Sequence, residues 1–138
     1  MKMKRKIILS FSLLFTLLSC NQKDTPKCNS EEVKNTVFEI VKEQKLNTII
    51  EGTYKEEIRA KLDSLSLELI RTESIDEALQ KCNCEAVLKG FPLNYIEKKA
   101  LGFNEFDLKD EDINIKYEVQ TNEEGETIIT VEPFLNIE

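Results

Sequence analysis

The chain has no histidine in its 138 residues. That removes Ser-His-Asp and Cys-His nucleophile pairs and the HExxH metalloprotease arrangement. It also strips a catalytic zinc of its commonest ligand. The four glycines stand far apart, so no Gly-rich loop cradles a phosphate and nucleotide binding is unsupported. No apolar run approaches the roughly 20 residues that a membrane-spanning helix needs. The longest, from Ile7 to Leu18, is 12 residues and is broken by Ser10, Ser12 and Thr16. Neither an internal repeat nor a low-complexity tract is present. Asp107-Leu108-Lys109-Asp110-Glu111-Asp112 gathers acids. It lacks the turn glycine and the in-register glutamate of a calcium loop, and reads as a solvated acidic loop or helix cap. No cofactor or metal is expected.

What is present begins with a basic start (Lys2, Lys4, Arg5, Lys6), the short apolar run and a small residue before Cys20. That order is the layout of a secretory signal peptide. Leu17-Leu18-Ser19-Cys20 resembles the lipobox of bacterial lipoproteins, with Leu18 the less common occupant of its slot. The resemblance implies that Cys20 carries a diacylglyceryl thioether, that the chain is cut before it, and that the new amine is acylated. Residues 1–19 are then a leader, and residues 20–27, polar and containing Pro26, are the lipidated cysteine and a tether. Residues 28–138 are one domain. The membrane, reached through the lipid on Cys20, is the first expected partner, and the expected location is the cell envelope, at the outer membrane. Gln22-Lys23-Asp24 resembles part of the acidic export tag of some surface lipoproteins. Thr25 follows a single Asp24 where the tag has two acids, so the periplasmic and surface faces both stay open.

Formal net charge is −7 for the whole chain, and the leader holds four basic residues and no acidic ones. The mature chain therefore carries −11. Such a surface repels nucleic acid and anionic lipid head groups. It suits a cationic protein partner or simply keeps an envelope protein soluble.

Past Cys20 three cysteines remain: Cys28, Cys82 and Cys84. Export favours a disulfide, and three thiols allow one bridge with one thiol over. Cys82 and Cys84 are two apart and point the same way from a strand; joining them strains the ring. A long-range bridge from Cys28 to Cys84, or to Cys82, is expected, with the third cysteine a buried inert thiol. Zinc in a closed site needs four ligands, which three cysteines without histidine do not supply.

Asn29 or Ser30 caps a helix over residues 30–46, Asn29 with Glu32 having capping-box spacing. Val33, Val37, Phe38, Ile40 and Val41 form its apolar stripe. A shorter helix spans residues 53–62, with Tyr54, Ile58 and Leu62 on one side. Leu65, Leu67 and Leu69 then alternate with polar residues as a half-buried strand, and residues 72–80 read as a loop or one helical turn. Cys82, Cys84, Ala86 and Leu88 share one face of the next strand, with Lys81 on the other, and Gly90 and Pro92 end it. Residues 91–112 are the least regular, with a short helix over residues 94–101 stopped by Gly102. Ile113, Ile115, Tyr117 and Val119 alternate in a clear strand. Asn122-Glu123-Glu124-Gly125 turns, and residues 126–134 return.

The expected fold is α+β: an N-terminal helix and a short second helix packed on an antiparallel sheet of about four strands ending in a β-hairpin. Over residues 28–134 the chain resembles small envelope lipoproteins with a cystatin- or NTF2-like domain. It has a helix opening near a cysteine, then strands like Leu67-Glu68-Leu69-Ile70-Arg71-Thr72 and Cys84-Glu85-Ala86, and a closing hairpin like Tyr117-Glu118-Val119-Gln120-Thr121. That group has no agreed activity; Cys82 and the long 91–112 segment depart from it.

Two functions follow. The first is a membrane-anchored, non-catalytic protein-binding module of inhibitor, immunity or scaffold type. The alternative is a carboxylate-dependent hydrolase acting on envelope sugars or peptides, which 26 acidic residues leave open. A concave pocket with two convergent, pKa-shifted acids favours the enzyme. A flat apolar patch rimmed by acids favours the binder.

Overall fold

The computed structural model describes residues 25–49 and 53–135. The leader, Cys20 and the first part of the tether lie outside them, and with them the lipobox expectation. Among the described residues no helix is long and apolar enough to cross a membrane.

Helix α1 runs Glu31–Asn47. Its cap is Ser30 rather than Asn29: the Ser30 hydroxyl accepts from the Val33 N–H at 3.3 Å, satisfying one orphan donor of the first turn. Glu31 and Glu32 at the start and Lys45 in the last turn match the helix dipole. Val33, Val37, Val41 and Lys45 are buried at four-residue steps, so one stripe faces inward. Phe38 and Ile40 pack at its flank, partly buried. Helix α2, Thr53–Leu62, buries Ile58 and Leu62.

Four strands follow: β1 Ser66–Asp76, β2 Lys81–Phe91, β3 Glu111–Thr121 and β4 Thr127–Val131, with the short helix α3, Tyr95–Ala100, between β2 and β3. They pair antiparallel in the order β1-β2-β3-β4. This is the α+β architecture expected, an open four-stranded sheet with helices packed against it. Ile113, Ile115, Tyr117 and Val119 of β3 and Cys82, Cys84, Ala86 and Leu88 of β2 are all buried. They form one core with α1 and α2, as a period of two dictates for a sheet covered on one side.

Three local expectations need correction. Strand β1 does not alternate evenly. Its pairing with β2 slips between Glu68 and Arg71 and again between Thr72 and Ser74. Leu69 sits in a left-handed conformation, φ 52°, and is 75% exposed, while Ile70 turns toward the core. Two bulges therefore re-aim the strand, which lets it continue to Asp76 where a loop or helical turn was expected. In β2, Gly90 does not end the strand. Its φ of 73° permits a bulge that returns Phe91 to the core, fully buried. Strand β4 stops at Val131, short of Pro133, which has no N–H for a ladder. Phe134 then leans edge-on against Phe91, ring centroids 5.5 Å apart.

The opposite face of the sheet carries cross-strand ion pairs: Arg71–Glu85 at 2.7 Å, Lys81–Glu118 at 2.7 Å, Lys89–Asp112 at 2.8 Å and Lys116–Glu73 at 3.5 Å. Lys81 is thus on the face predicted for it.

Beneath the other face, at the end of α1, lies a buried ion pair. The Lys45 ammonium donates to both Glu97 oxygens, at 2.5 and 2.8 Å, and sits 5.9 Å from the centre of the Phe91 ring. Burial pushes the Lys45 ammonium below its ordinary value, against the pull of Glu97. Glu97 also accepts from the Asn94 N–H at 3.2 Å, and Asn94 Oδ1 accepts from the Glu97 N–H at 2.9 Å. The capping box of α3 therefore orients the carboxylate that holds α1.

Candidate functional site

Of the cysteines, Cys28 and Cys84 form a disulfide. Cys82 is a free, buried thiol. The bridge ties the residues just before α1 to the middle of an interior strand. The Tyr117 hydroxyl reinforces it, donating to the Cys28 carbonyl at 2.8 Å. Burial pushes the Tyr117 phenol up to about 12. The three sulfurs lie within 4.8 Å of one another, but with two of them bonded together a single thiol is left to offer.

The surface that stands out is elsewhere, where α2, α3 and the loop after α3 meet. Phe106 is 79% exposed and Leu108 97%. Tyr54 and Tyr95 are about half exposed, although Tyr54 shares a side of α2 with buried Ile58 and Leu62. The four line a cleft of about 470 Å³. Glu57, Glu105, Asp107 and Asp110 line it too, so acids stand beside the apolar side chains.

The loop is held in place by lysines. Lys98 is almost fully buried. Its ammonium donates to the backbone carbonyl of Asp107 and, at 2.5 Å, to that of Lys109, with the Glu111 carboxylate 3.6 Å away. Its donors are thus directed into the loop. Lys61 of α2 reaches Asp110 at 3.1 Å. The Asn104 carboxamide accepts from the Phe106 N–H at 3.1 Å and the Asp107 carboxylate from the Lys109 N–H at 3.0 Å, local turns of the kind Asn and Asp favour. Phe106 leans edge-on to Tyr95, centroids 6.0 Å apart, and the Tyr95 hydroxyl donates to Glu105 at 3.4 Å. The acidic run from Asp107 is therefore more than a solvated loop. Its backbone is the acceptor for a buried lysine, and both cations beside the cleft, Lys61 and Lys98, are already engaged.

The carboxyls with displaced pKa values lie on the opposite face of the sheet. The Arg71 guanidinium, with Glu73 alongside, holds the Glu85 carboxyl below its ordinary range. Lys89, with the Gly90 N–H, does the same for Asp112. A general acid for glycoside or peptide cleavage needs the opposite direction.

The patch was not singled out in the sequence. Tyr95 and Phe106 read as core material there, and nothing in the sequence pattern separates these exposed residues from the buried Phe91. No family model, curated protein or solved structure matches this chain.

Proposed function

We propose that this chain is a lipid-anchored protein of the cell envelope whose domain binds another protein without catalysing a reaction. The observation that carries this reading is the pair Phe106 and Leu108, exposed on a loop that buried lysine contacts hold still. Large apolar side chains kept in water on an ordered loop favour a partner that covers them. Each contributes roughly 1.5–3 kcal/mol when fully buried, and an ordered loop loses little entropy on docking. Glu57, Glu105, Asp107 and Asp110 around the cleft and the net charge of −11 select a cationic surface on that partner. The anchor is inferred from the Leu17-Leu18-Ser19-Cys20 stretch, and Cys20→Ala is expected to abolish palmitate labelling.

The test is capture of a partner by the mature domain from intact cells, repeated with Phe106→Ser/Leu108→Ser and with Asn114→Ser on the far face of the sheet. The double variant is expected to weaken binding on the order of a hundredfold, with Asn114→Ser unchanged and binding falling as salt rises. A partner held equally well by the double variant sinks the reading.

A further inference from the structure

The free thiol rests against the bridge. Cys82 Sγ lies 3.1 Å from Cys28 Sγ. Cys82 and Cys84 are two residues apart on β2 and so project from the same face, toward the one sulfur of Cys28. Thr72 of β1 pairs with Cys84 in register. Its hydroxyl donates toward Cys28 Sγ at 3.4 Å and accepts from the Cys82 thiol at 3.9 Å. A groove of about 290 Å³ adjoins Cys28 and Cys82 and is lined also by Lys27, Asn29, Ile70 and Ile75. The titratable groups beside the sulfurs are Lys27 in that groove and Tyr117 from β3. Cys82 is 1% exposed, which shields it from outside thiols and leaves its own bridge as the nearest electrophile.

We propose that Cys28 exchanges its disulfide between Cys84 and Cys82, so that the protein interconverts between two bridged forms. The Cys82 thiol gives up its proton and its sulfur attacks Cys28 Sγ. The Cys28–Cys82 bond forms as the Cys28–Cys84 bond breaks, and Cys84 leaves with the electron pair and takes up a proton. One disulfide and one thiol stand on each side of the step, so no oxidant or reductant is required. The exchange relocates the point at which the residues leading into α1 are tied to β2.

Wild-type protein is held at about pH 8, because thiolate and not thiol is the attacking species, then quenched in acid, digested with pepsin and mapped by tandem mass spectrometry without reduction. Peptides bridged Cys28–Cys84 and Cys28–Cys82 are both expected, the second more abundant than in a sample quenched directly. Cys84→Ser is expected to yield Cys28–Cys82 alone, and Cys82→Ser Cys28–Cys84 alone. Recovery of Cys28–Cys84 as the sole bridge from wild-type protein after the incubation overturns the proposal, whatever the variants do.

Discussion

Helix α1 is fastened at both ends, and the two fastenings are chemically unlike. At its start Cys28 is covalently joined to Cys84, with Tyr117 bonded to the Cys28 carbonyl. At its finish Lys45 meets Glu97 in a site almost closed to water. A disulfide acts chiefly by restricting the unfolded chain, in the chain-entropy account. A buried ion pair acts in the folded state, where its attraction must offset the cost of stripping water from both charges. The first does not depend on a charged partner. The second is strong only while both partners are present. What the pair adds is placement: Glu97 belongs to α3, and α3 sets the loop that displays Phe106 and Leu108.

The comparison breaks most severely at the ionic end. Lys45→Met leaves the Glu97 carboxylate buried without a cation, and a loss of about 3–5 kcal/mol is expected in denaturant unfolding at neutral pH. Adding Glu97→Gln to that variant is expected to recover most of the loss, because the carboxamide still accepts from Asn94 and carries no charge. A double variant as unstable as the single one would mean that the pair is held by more than charge balance. Cys28→Ala removes the bridge without leaving it an alternative long-range partner. With a sequence separation of 56 between the joined residues, about 4 kcal/mol is expected to be lost. Full reduction of wild-type protein should match that figure in the same unfolding measurement. The smallest effect is Tyr117→Phe, about 1 kcal/mol at neutral pH for one buried hydrogen bond.

The same phenol sharpens the contrast with pH. Tyr117 is raised from 10.0 to about 12 in the folded protein, so between those values the unfolded chain loses the proton while the folded one keeps it. Its contribution is complete below pH 10 and declines as pH climbs toward 12. Comparing unfolding midpoints at pH 9 and pH 11 should reveal an alkaline decline that Tyr117→Phe lacks in part. An identical decline in the variant would assign it to other groups.

The two ends also differ in how far the sequence disclosed them. The expected export and the three thiols past Cys20 narrowed the bridge to Cys28 with Cys84 or Cys82. The choice between them was closed to pattern reasoning because both occupy the same face of β2. Lys45 was harder to see. A lysine in a last turn reads as a solvated cation, and only its step of four from Val41 places it on the buried stripe. Strand β3 was legible in full because its alternation is unbroken. Strand β1 was misread because a bulge at Leu69 moves the inward face by one residue while leucine still looks apolar. The exposed apolar patch depends on Lys98 reaching carbonyls nine and eleven residues away, and no periodicity records such a contact.

The position of the bridge also decides how this domain bears a pull. Tension on the segment ahead of Cys28 passes through sulfur directly into β2, which is hydrogen-bonded to a neighbour on each side. The load bypasses α1, whose turns would otherwise peel away one by one. A domain tugged by its leading end in this way takes the load first at an interior strand held by two neighbours, and not at its helix.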